Sequence, residues 1–109
     1  MELYDELRTK TAQLERSVKE LRKNGTAYAE AEKQYKILLR EECLRLRSEG
    51  MAIGMIDKTC YGIPEVAEAR FMRDVAEAVY RANLEAINSI KLELRLIDAQ
   101  LQREWGVAE

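Results

Sequence analysis

The stretch Gly50-Met51-Ala52-Ile53-Gly54-Met55-Ile56-Asp57-Lys58-Thr59-Cys60-Tyr61-Gly62-Ile63-Pro64 holds three of the five glycines and the only proline of a 109-residue chain. Outside it the sequence reads as long helix on both sides. The breakers therefore mark a tip at 50–63 between an arm at 2–49 and an arm at 64–105. This length fits a single domain. Interspersed charge (35% Asp, Glu, Lys and Arg) with a 47% apolar fraction is the composition of long helices or coiled coils.

In the first arm Tyr4, Leu7, Thr11, Leu14, Val18 and Leu21 recur at spacings of three and four, which predicts an amphipathic helix. Gly25 interrupts this pattern, and Thr26 after it is a possible helix cap. Leu7, Leu14, Leu21, Tyr28 and Tyr35 nevertheless keep a seven-residue phase across the glycine. A lone glycine costs a helix only about 1 kcal/mol against alanine, so one continuous helix is expected. Further along, Tyr28, Ala31, Tyr35, Leu38, Leu39, Cys43 and Leu46 share a broad face. Glu42 lies within it, either at its edge or paired with an arginine. Ile37 and Leu44 fall nearly opposite, which suggests a second partner or two ordinary surface aliphatics.

Pro64 at a first helical position, followed by Glu65 and Glu68, is a helix start. From there Val66, Ala69, Arg73, Ala76, Tyr80, Asn83, Ile87, Ile90, Leu94, Ile97 and Leu101 form one stripe, and Gly106 is read as its end. Two arms of nearly equal length predict an all-α fold, a long antiparallel helical hairpin of coiled-coil type. Such a hairpin buries little apolar surface against its chain entropy, so it is expected to oligomerise into a helical bundle, most simply a two-fold homodimer. Asn83 on the stripe would then fix the register, or sit exposed at a drifting seam.

Several chemistries are excluded or disfavoured. The chain has no histidine, which removes the commonest general base and the usual zinc and di-iron ligands. The glycines match no phosphate-binding fingerprint. Cys60 lies near Lys58 but has no base to activate it, and two cysteines do not make a disulfide framework. A non-enzyme with no metal or cofactor is expected. No run of about 18 apolar residues predicts a membrane span, and the acidic Met1-Glu2-Leu3-Tyr4-Asp5-Glu6 start does not resemble a secretory signal. The expected location is the cytoplasm.

Three readings of the tip stand side by side. In the first, Met51, Ile53, Met55, Ile56 and Ile63 plug the end of the bundle. In the second, Lys58, Tyr61 and Gly62 precede a helix N-terminus whose N–H groups and dipole suit an anion, with Arg70 and Arg73 one to two turns on. Tyr61 would stack on a base, so a nucleotide could be held without any catalytic group. Against this, Glu65, Glu68 and Asp57 crowd the same place. The third is a helix-turn-helix reading of residues 46–66. It would put the acidic Pro64-Glu65-Val66-Ala67-Glu68-Ala69 in the groove. The seven basic and six acidic residues between 36 and 73 are not a nucleic-acid footprint.

Leu3-Tyr4-Asp5-Glu6-Leu7-Arg8, Leu46-Arg47-Ser48-Glu49-Gly50-Met51-Ala52, Arg73-Asp74-Val75-Ala76-Glu77-Ala78-Val79-Tyr80 and Gln102-Arg103-Glu104-Trp105-Gly106 together resemble small helical proteins of phages and prophages of Gram-positive bacteria. The resemblance covers essentially the whole chain and transfers no site residue. It implies a phage protein in a bacterial host cell. It favours, by analogy, an anti-defence role in which an oligomer sequesters an anionic nucleotide signal through Lys58, Tyr61, Gly62, Arg70 and Arg73. The alternatives are a protein-binding inhibitor or assembly module acting on a host factor through Ile37 and Leu44 or the Met-rich tip, and a DNA-associated accessory protein.

Overall fold

A computed structural model describes the backbone of residues 2–108 and the side chains of residues 2–106. The described residues are all-α: α1 spans Glu2–Ser48, α2 Ile53–Cys60 and α3 Pro64–Ala108. The chain divides into two compact units, Asn24–Tyr80 and Met1–Lys23 with Arg81–Glu109. In each, α1 and α3 run antiparallel.

α1 passes through Gly25 without a break. A Cβ at that position would lie 3.2 Å from Tyr80 Cε1, so the glycine lets the Tyr80 ring close against α1. The Tyr80 ring also meets Tyr28, with centroids 5.9 Å apart. α1 ends in a Schellman turn. The Gly50 N–H donates to Arg47 O at 3.0 Å and the Met51 N–H to Leu46 O at 3.1 Å. Gly50 has φ of 90°, a conformation that a Cβ disfavours. The turn delivers Met51 onto the cluster formed by Leu46, Ile56 and Cys60, with Leu39, Cys43 and Ile63 packed around it.

The tip is therefore not an irregular loop. α2 occupies most of it, started by an extended Ala52 whose carbonyl accepts from Met55 and Ile56 at 2.9 and 3.1 Å. Ile56 and Cys60, four residues apart, face the cluster, while Ile53 and Met55 are exposed. The expected plug is thus made by Met51, Ile56 and Ile63 alone. Pro64 then opens α3, and the Ala67 N–H closes its first turn on Ile63 O at 2.9 Å. Val66, fully buried, anchors α3 in this unit.

The stripe from Val66 to Leu101 is buried or half-buried throughout, as the spacing predicts. The first arm differs. Leu7, Leu14 and Leu21 are half-buried, but Tyr4, Thr11 and Val18 are exposed. Leu3, Lys10, Ser17 and Asn24 take the inward positions instead. Of these, Lys10 pairs with Glu93 on α3, and the backbone carbonyl of Ser17 accepts from Asn83 Nδ2 at 3.1 Å. Asn83 thus ties the register of the terminal unit. α3 also continues through Gly106 to Ala108 rather than stopping at 105. A lone glycine costs the helix only about 1 kcal/mol against alanine, so it does not stop α3.

Candidate functional site

Within Asn24–Tyr80, residues 71–80 of α3 read Phe-Met-Arg-Asp-Val-Ala-Glu-Ala-Val-Tyr. Two of their charged side chains face α1. The Arg73 guanidinium lies 4.7 Å from the centre of the Tyr35 ring and is half-buried. It also donates to Asp74 Oδ1 at 2.8 and 3.0 Å, which raises its pKa above the ordinary arginine value. Glu77 Oε2 accepts from the Tyr28 hydroxyl at 2.9 Å. Ala76 and Tyr80 of the same segment also face inward, while four larger apolar side chains face outward: Phe71 is 59% exposed, Met72 54%, Val75 44% and Val79 48%. Ala78, also exposed, falls between them.

An ordinary amphipathic helix has one apolar stripe, which faces the core; this segment carries a second one facing outward. The tyrosines explain the inward half. A guanidinium over an aromatic face and a carboxylate on a phenol hydroxyl are satisfied without apolar neighbours. Nothing in the described chain explains the outward half. On α1, Ile37 and Leu44 are also exposed, but Gln34, Lys33, Arg40, Glu41 and Arg47 surround them, so they remain two separate aliphatics.

The residues assigned to an anion are only partly brought together. Arg70 lies 5.8 Å from the centre of the Tyr61 ring, and both are exposed. Lys58 is exposed in the last turn of α2. Arg73 is turned instead onto Tyr35 and Asp74. The N–H groups of Gly62 and Ile63 are already engaged, donating to Thr59 O at 3.1 Å and Cys60 O at 3.3 Å. Pro64 has no N–H to offer. Much of the backbone donor set of this helix start is therefore closed to an anion.

Glu42 is resolved as an arginine partner: Arg45 Nε donates to its Oε2 at 2.7 Å and Arg45 Nη1 to Glu49 Oε1 at 2.9 Å. Cys43 and Cys60 are free thiols in the same cluster. Burial pushes the Cys43 thiol above its ordinary pKa, and its contact with Cys60 adds to this, so it is a poor nucleophile. Among the described residues no group of three or more Cys, Asp or Glu is placed to hold a metal ion, and no helix is long and apolar enough to cross a membrane.

The outward row is missing from the sequence reading, which assigns α3 a single stripe. Its signal was present in the spacing of Phe71, Met72, Val75, Ala78 and Val79, which repeats the three–four rhythm beside the first stripe. Comparison with known proteins finds no match: no protein-family model matches the chain, and no curated protein or solved structure is significantly similar to it.

Proposed function

We propose that the chain is a non-enzymatic association module that binds a protein presenting an apolar helix face. The observation that carries this reading is the outward row of residues 71–80, with Arg73 and Glu77 turned to the tyrosines of α1 and Phe71, Met72, Val75 and Val79 turned outward. A cluster of large exposed apolar side chains, here flanked by the exposed Asp74, is the mark of a protein contact. In the phage setting that the sequence resembles, such a module would assemble phage components or block a host factor.

Site-specific photo-crosslinking in the expressing cell tests this. A photoreactive side chain at position 75 is expected to give a discrete protein adduct, and one at position 34, on the polar outer side of α1, none. The reading fails if position 75 gives no protein adduct.

A second reading, sequestration of an anionic nucleotide, draws support from the exposed Tyr61–Arg70 pair beside Lys58. Isothermal titration against cyclic nucleotides and ADP-ribose derivatives tests it. Binding that Arg70→Ala abolishes and Val75→Asp leaves intact would favour it over the first.

A further inference from the structure

The outward row has an internal symmetry. Phe71 and Val79 lie four residues to either side of Val75, and Met72 and Ala78 lie three to either side. If a second copy of α3 is laid antiparallel across a two-fold axis at Val75, Val75 meets its equivalent. Phe71 then faces Val79 of the other copy, and Met72 faces Ala78. Each large side chain falls opposite a smaller one, as packing across an isologous contact requires.

A formal charge of −2 leaves little repulsion between copies.

We propose that Phe71, Met72, Val75, Ala78 and Val79 form a two-fold homodimer contact in which α3 crosses its equivalent antiparallel at Val75. This names the partner of the docking face proposed above and rests on that reading.

The test is native mass spectrometry and light scattering on the full chain, with two variants. Wild type is expected to be a dimer. Val75→Asp is expected to weaken the dimer by roughly a hundredfold or more, because two carboxylates would meet at the axis. Its far-UV circular dichroism should be retained, since Val75 contributes nothing to the intrachain core. Val75→Cys should give a covalent dimer under mild oxidation, while wild type and Gln34→Cys should not. A dimer that survives Val75→Asp, or that Gln34→Cys captures as readily as Val75→Cys, overturns the proposal. A monomeric wild type overturns it too, and the photo-crosslink at position 75 then separates the cases. An adduct with a different protein leaves the docking face standing, and no adduct removes both.

Discussion

The unit Asn24–Tyr80 and the unit of the chain ends use the same two helices but hold them by different means. In the first, apolar groups from α1, α2 and the turn residues Met51 and Ile63 converge, and Leu46, Ile56, Cys60 and, on α3, Val66 are buried. In the second, Ile87, Ile90 and Ile97 are buried on α3, while α1 answers with Lys10 and Ser17 as well as leucines. Apolar burial supplies energy without direction, whereas a hydrogen bond or ion pair supplies less energy and specifies position. The tip-side unit is therefore expected to carry more of the stability, and the terminal unit more of the information that sets α1 against α3.

The strongest challenge to this contrast is a pair of cavity substitutions. Ile56→Ala removes a buried side chain from the cluster that α1, α2, Met51 and Ile63 share, and about 3 kcal/mol should be lost. Ile90→Ala, in the terminal unit, should cost nearer 2 kcal/mol, because two helices close around it and can relax. Urea denaturation followed by circular dichroism measures both. Equal losses, or a larger one at Ile90, would break the comparison.

The next effect tests how the tip is built. Gly50→Ala should destabilise by about 1 kcal/mol, since alanine resists the positive φ at the end of α1. Gly54→Ala should stabilise by a few tenths to about 1 kcal/mol, because it lies within α2 and an added Cβ meets nothing within 4 Å. Opposite signs from two glycines four residues apart would show that the tip is a capped turn followed by a helix. Matching signs in thermal melts would contradict that.

These two glycines also show what a sequence can reveal. Gly50, Gly54 and Gly62 were read together as loop punctuation, yet only Gly50 needs its conformational freedom. The stripe on α3 was fully legible because apolar residues dominate it. The continuity of α1 was legible because the seven-residue phase survives Gly25. The inward face of the first turns was not, because apolarity pointed to Tyr4, Thr11 and Val18. Lys10 and Ser17 take the inward side; the Lys10 side chain meets Glu93 and the Ser17 backbone carbonyl meets Asn83, both from α3, which periodicity within α1 does not register. The same limitation misplaced Arg73. Its position in the chain put it near Lys58, while its true neighbour, Tyr35, comes from the other helix. Of the five residues assigned to the candidate anion site, local sequence placed Tyr61 and Arg70 within reach of each other and missed what Gly62 and Arg73 are engaged with.

Asn83 tests the informational half of the contrast. Asn83→Ala removes the donor to Ser17 O and should cost about 1 kcal/mol. Asn83→Leu should recover some of this through apolar burial while loosening the register. Paramagnetic distance measurements between spin labels at positions 13 and 88 would show it as a broadened distribution relative to wild type. A sharp, unchanged distribution in the leucine variant would mean that the isoleucines alone set the alignment.

The smallest expected effect belongs to the Lys10–Glu93 pair. The lysine side chain is 27% exposed and the glutamate 42%, so water and salt screen their attraction. Lys10→Met keeps most of the aliphatic stem that lies against α3 and removes only the charge. At low ionic strength the loss should be about 0.5 kcal/mol. In 1 M salt, where screening acts within about 3 Å, the variant should match wild type. The salt dependence decides more than the magnitude. A penalty that persists in high salt would mean that Glu93 is left in a site needing a cation, and the terminal unit would then draw real stability from charge. A variant more stable than wild type at every salt concentration would mean that this unit, like the tip, gains from any apolar side chain offered to it, and that Lys10 serves alignment alone.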